Sequence, residues 1–126
     1  MLVRLLYASR AVDTSPEAIE SILNQARQHN PEMGITGILC YGGGIFLQAI
    51  EGGRVDIDRL LRRLLVDPRH SGLRILVDTP ITTRSLTEPM ALCAEPAALL
   101  EKLGLHCLSG ITANEAEAML EYRTAA

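Results

Sequence analysis

The sequence specifies an α+β domain: a ferredoxin-like β-α-β-β-α-β sheet with a fifth strand and C-terminal helices. Apolar runs of strand length alternate with stretches of 3.6-residue period in that order. Two of the β-rich runs flank Gly42-Gly43-Gly44, a hairpin signal. The 126 residues, 48% hydrophobic and 21% charged, suffice for one hydrophobic core.

The first strand is expected over Leu2 to Ser9. "DTSPEAIESILNQARQHN" then turns helical, with Ser15 as N-cap, Pro16 at the first helical position and Glu17 and Glu20 suiting the positive helix start. Ala18, Ile19, Ile22, Leu23 and Ala26 make its apolar face, and Pro31 sets its end near His29-Asn30. "MGITGILCYGGGIFLQAIEGG" is the hairpin; no Gly-Lys-Ser/Thr follows its glycines, so they form a turn and not a phosphate loop. "RVDIDRLLRRLLVDPRH" is a second helix, with Val55, Ile57, Leu60, Leu61, Leu64 and Leu65 apolar and Asp67-Pro68 at its end. "LRILVDTPI" supplies a fourth strand and "MALCA" a short fifth. Helical stretches follow at "PAALLEKL" and "ANEAEAMLEYR". In this order the first and third strands lie mid-sheet, two helices cover one face, and the tail covers the other. A sheet buried on both faces explains why the strands show so little apolar/polar alternation.

Composition narrows the function classes. A net charge of −3 argues against nucleic acid as the main partner, because phosphate binding needs concentrated positive charge. Cys40, Cys93 and Cys107 form no CxxC, which indicates neither a zinc site nor a disulfide scaffold and fits a reducing cytoplasm. "MLVRLLYASR" is too short and too charged for a signal-peptide core, and no apolar run approaches the ~20 residues that span a bilayer. The expected setting is cytoplasmic, with no membrane partner. With one Phe, three Tyr and no Trp, the core is aliphatic, and a ligand is one source for any aromatic ring system needed inside it.

Several polar residues fall where apolar ones are expected. "GIFLQAIEG" carries Gln48 inside an apolar strand, and a buried amide without partners costs about 1–3 kcal/mol. Leu5, Tyr7 and Ser9 share one strand face, as do Phe46, Gln48 and Ile50, so adjacent strands would bring the Tyr7 phenol to the Gln48 amide. Asn30 ends the first helix near that sheet, and Arg63 and Asp67 stand i, i+4 on the second helix. Each has an ordinary alternative: Tyr7 in the core with its hydroxyl at the edge, Gln48 facing solvent, Asn30 as a cap, Arg63 and Asp67 as an exposed pair.

Taken together, "LLYAS", "ARQHN", "GITGILCY", "FLQAIEG", "RRLLVDPRH" and Met90 resemble the BLUF family, blue-light sensors that use flavin. The resemblance spans roughly residues 2 to 94, and "GITGIL…FLQxIEG" is its most specific part. It implies a flavin, usually FAD with FMN or riboflavin as alternatives, held between the first two helices and the sheet. Asn30 would bond the polar edge of the flavin ring, and Gln48 would lie between Tyr7 and the flavin. Arg63 and Asp67 would hold its other polar side or the sugar-like chain, with Ile22 and Leu64 or Leu65 as apolar walls. The resemblance also implies a photoswitch of Tyr7, Gln48 and Met90. An electron leaves Tyr7 on illumination, its proton moves through Gln48, and the amide settles rotated or tautomerised, shifting absorption to the red.

Many relatives have a Trp two residues before this Met; here Glu88 stands there, followed by Pro89, which must sit at a sheet edge, a strand start or outside the sheet. The expected division is a flavin-binding sensor domain over residues 1–94 and a helical extension over 95–126 packing on it, with Leu99, Leu100, Leu103, Met119 and Leu120 available for the contact. Output would then pass to a separate effector protein or through homo-oligomerisation, the chain itself being no enzyme. The alternatives are an acylphosphatase-like hydrolase, using Arg10 for an anion and Asn30 for water, and a light-inactive interaction module.

Overall fold

The computed structural model describes residues 1–93, 101, 104, 108 and 110–125, with side chains through residue 119. The elements are β1 (Leu2–Ala11), α1 (Pro16–His29), β2 (Thr36–Gly42), β3 (Ile45–Gly53), α2 (Arg54–Leu65), β4 (His70–Ile81), β5 (Ala91–Cys93) and α3 (Ala113–Ala125). Of the helix expected at "PAALLEKL", all but Glu101 lies outside the described residues, Leu99, Leu100 and Leu103 included, as does the side chain of Leu120.

The sheet order is β4-β1-β3-β2-β5, so β1 and β3 are interior strands as expected. All neighbours are antiparallel except β2 and β5, which run parallel and place Cys40 opposite Cys93. β4 is an edge strand and can therefore hold Pro80. Gly43 and Gly44, at φ 58° and 77°, form the two-residue turn between β2 and β3; both central residues of such a turn need the left-handed region.

The Ser15 hydroxyl caps α1 by accepting from the Ala18 N–H at 3.2 Å. The helix ends at His29, but not because Asn30 leaves the helical region ahead of Pro31. Asn30 stays helical (φ −60°, ψ −40°), its N–H donates to the Ala26 carbonyl, and the chain tightens into a 3-10 turn over Asn30–Met33 closed by left-handed Gly34. In α2 the buried stripe is Ile57 with Leu60, Leu61 and Leu64 against it. Val55 and Leu65 lie off that stripe and are 61% and 59% exposed, which corrects their expected place in the core. Thr112 and Glu115 make a reciprocal capping box at the start of α3, Glu115 accepting from the Thr112 N–H and the Thr112 hydroxyl from the Glu115 N–H.

Two apolar layers sandwich the sheet. On one face Leu5, Tyr7, Phe46 and Ile50 pack with Ile19, Leu23 and Ile57 of α1 and α2. On the other, Leu6, Ala8, Leu47 and Ala49 pack with Leu108, Ile111, Ala116 and Met119. The second layer is why the strand interiors read as continuous apolar runs.

Candidate functional site

The β1–β3 register makes Tyr7 and Gln48 Cα partners. Period two then sends both side chains to the helical face, where the Tyr7 hydroxyl donates to Oε1 of Gln48. Gln48 Nε2 donates to Sδ of Met90 at 3.6 Å. Gln48 is buried, and both ends of its amide are engaged. Burial pushes the Tyr7 phenol pKa well above its ordinary value; the Asp67 carboxylate adds to this and Arg69 opposes it. Tyr7 therefore keeps its proton, and donates it, across the physiological range.

Beside this chain lies a cleft of about 610 Å³, counting the space open at its mouth. α1 contributes Ile22, Ala26 and His29 and α2 contributes Leu60, Arg63 and Leu64, with Asn30, Gln48, Asp67, Arg69 and Met90 also in the lining. An adjoining hollow of about 310 Å³ reaches Tyr7, Phe46 and His70 and shares Gln48 with the cleft.

Of the residues the sequence singles out, Ile22, Asn30, Gln48, Arg63, Leu64, Asp67 and Met90 all line the cleft, with Tyr7 directly behind Gln48. Leu64, not the exposed Leu65, forms the wall. Arg63 and Asp67 do not pair as i, i+4 neighbours, because α2 stops at Leu65 and the chain turns away. Asp67 instead accepts from the Arg69 N–H at 2.9 Å and from its guanidinium through both carboxylate oxygens, at 3.0 and 2.6 Å. This contact holds the Asp67 carboxyl below the usual carboxylate range despite partial burial. Arg69 was missed by sequence reasoning. The "DPRH" stretch did carry a signal for it, since an Asp two residues before an Arg can form an Asx turn that aims the guanidinium. Arg10, which a hydrolase would need beside Asn30, is exposed and does not line the cleft.

The segment before β5 is held carbonyl by carbonyl. Glu88 O accepts from the Gly37 N–H at 3.0 Å, Pro89 O from Asn30 Nδ2 at 2.7 Å, and Met90 O from Arg27 Nε at 3.1 Å. Asn30 is thus more than a helix cap. Glu88 is exposed, and Met90, almost wholly buried, is the side chain against Gln48. Pro89 stands just ahead of β5, as its missing N–H requires.

Apolar walls from two helices and a polar edge of two amides with an Asp–Arg pair suit a flat ring system whose rim alternates donors and acceptors. A flavin ring has that chemistry. Nδ1 of His70 is buried without a partner among the described residues, in the hollow that adjoins this edge.

The family model described as "BLUF: Sensors of blue-light using FAD" matches residues 2–90. The photoactivated adenylate cyclase subunit beta of Euglena gracilis is 34% identical over 86 residues, which are 66% of this chain and 10% of that protein. The chain therefore spans about a tenth of the length of that relative. The blue light- and temperature-regulated antirepressor BluF of Escherichia coli (strain K12) is 35% identical over 71 residues, 56% of this chain and 18% of that one. The dark-state structure of the BLUF protein BlrB is 40% identical with a TM-score of 0.80, covering 98% of this chain and 94% of that chain. The photo-activated state of BlsA, at 24% identity and a TM-score of 0.86 over 100% of this chain and 96% of that one, shows the same fold.

Proposed function

The chain belongs to the BLUF family of blue-light sensors, and we propose that its flavin is held in the α1–α2 cleft and read through Gln48. BLUF is a flavin-binding sensory domain. The observation that carries the site assignment is the continuous chain from the Tyr7 hydroxyl through Gln48 to Met90 at the cleft floor.

Asn30 offers the ring edge an amide already oriented by its bond to Pro89 O, and Asp67 and Arg69 offer a carboxylate and a guanidinium locked together. Ile22 and Leu64 flank the ring, and Arg63 also lines the cleft. Bound flavin supplies the blue-light absorption and an excited state able to draw an electron from a nearby phenol. Tyr7 is the oxidisable side chain at hand, and its proton already lies on the bond to Gln48 Oε1. The Gln48 amide, by rotating or tautomerising, exchanges donor and acceptor character between Tyr7, Met90 and the cleft. A changed hydrogen bond to the chromophore changes its absorption without net chemistry.

FAD is the expected flavin form, as in the family description, with FMN and riboflavin as the other outcomes; Arg63, Arg69 and His29 lining the cleft favour a phosphate-bearing one. Residues 1–94 form the sensor domain and 95–126 an extension on its second face, consistent with Ala116 and Met119 packing there. Output goes to a separate effector protein or through self-association in the cytoplasm. No described helix is long and apolar enough to cross a membrane. Absorption spectra of the purified protein before and after blue light test the proposal. A yellow protein with a small reversible red shift supports it, and colourless protein that cannot be loaded with flavin overturns it.

A further inference from the structure

Glu51 is fully buried on β3, yet the photoswitch does not use it. Three residues from Gln48, it points to the opposite sheet face, the one that carries Leu47 and Ala49 rather than Tyr7. Its Oε1 accepts from the backbone N–H groups of Ser85 and Leu86, both at 2.8 Å. Its Oε2 accepts from Arg4 Nε at 2.8 Å and forms an ion pair with Arg4 Nη2 at 2.7 Å. Arg4 also donates to the Ser85 hydroxyl at 2.7 Å, and Arg84 donates to the Glu51 backbone carbonyl at 2.9 Å. Every polar contact of this side chain thus goes to β1 or to the segment leading from β4 to β5.

That segment carries Met90. It leaves Leu86 in the apolar layer of the α3 face and delivers Met90 to the layer of the α1–α2 face, against the Gln48 amide. We infer that Glu51 is a positioning residue for the photoswitch. By clamping Ser85 and Leu86 it fixes the near end of the segment whose far end seats Met90, and so sets the barrier for Gln48 to return to its dark orientation. The inference rests on the flavin–Gln48 reading above. Because Glu51 contacts neither Gln48 nor the cleft, its effect is on rate, not on chromophore binding.

The geometry makes the test specific. In Glu51→Gln, the amide oxygen can still accept from Ser85 and Leu86, but its NH2 group then faces the donor-only Arg4 guanidinium. The double variant Arg4→Gln/Glu51→Gln restores a donor opposite an acceptor. Dark recovery after a blue-light pulse is followed by absorbance in wild type, both variants and an Ile57→Val control, with flavin content and melting temperature measured for each. The expected result is flavin retention throughout, a recovery about tenfold faster in Glu51→Gln, and recovery near the wild-type rate in the double variant and the control. Recovery of Glu51→Gln within twofold of wild type, or an equal acceleration in Ile57→Val at matched stability loss, overturns the inference. Should Glu51→Gln not fold, Glu51→Asp takes its place, its shorter carboxylate being unable to reach Ser85, Leu86 and Arg4 together: recovery about tenfold faster supports the clamp, and recovery within twofold of wild type overturns it. Absence of any light-induced shift in flavin-loaded wild type is a different failure, that of the underlying reading.

Discussion

Tyr7 and Gln48 stand directly opposite one another in the β1–β3 ladder, with the phenol donating to the amide oxygen. A one-residue slip in that ladder would send Gln48 to the α3 face and Leu47 or Ala49 to the cleft. The β2–β3 turn at Gly43-Gly44 and the apolar sets on both faces fix the register, so the same features that fold the sheet assemble the relay.

Tyr7→Phe removes the hydroxyl and leaves Gln48 Oε1 without its donor. The buried unpaired acceptor should cost about 1–3 kcal/mol, read as a lower denaturation midpoint. The cleft lining is otherwise untouched, so flavin should stay bound while the light-induced shift is lost. With no Trp in the chain, no such side chain can substitute as donor.

Gly37→Ala probes how Met90 is seated. A Cβ at Gly37 would lie 2.9 Å from Met90 Cε and 3.0 Å from the Ala49 carbonyl. The side chain of Met90 can move; the carbonyl cannot. Overpacking of this kind should destabilise by about 1–3 kcal/mol and displace Met90 from Gln48. The check is a changed dark absorption maximum in flavin-loaded protein together with a lowered melting temperature.

The strand order, the hairpin, the Ser15 cap and the convergence of Tyr7, Gln48 and Asn30 follow from period, turn chemistry and family resemblance. The Asp67 partner did not, because helical spacing was carried two residues past the end of α2, where the chain leaves the helix and Asp67 turns to Arg69. Val55 and Leu65 look like core by hydrophobicity alone; only the rotation of α2 places them outside. The contacts of Glu51 with Ser85 and Leu86 left no sign in the sequence, since these residues contribute backbone N–H groups that side-chain chemistry does not announce.

Asp67→Asn tests the cleft's charged edge through pH. The folded carboxyl is held below its ordinary 3.8, first by the Arg69 side chain and against the opposing effect of burial. A depressed carboxylate contributes stability that is fully present above the unfolded value and is lost as pH falls through the folded one. The difference in unfolding free energy between wild type and Asp67→Asn should therefore be flat above about pH 5 and shrink below about pH 4. With Arg69 partly in solvent, the plateau should be about 1 kcal/mol. Urea midpoints at several pH values measure it.

Asn30→Ala removes an amide that lines the cleft and holds Pro89 O. Flavin affinity should fall by about tenfold, and Glu88 and Met90, on either side of Pro89, should exchange amide hydrogens faster. Fluorescence titration of flavin and hydrogen-exchange mass spectrometry read the two effects separately.

The most direct test is the light-minus-dark difference spectrum of flavin-loaded wild type beside Gln48→Leu. Wild type should show a reversible red shift of the flavin bands, and Gln48→Leu should bind flavin yet lack that shift. A normal shift in Gln48→Leu would contradict the relay through Gln48.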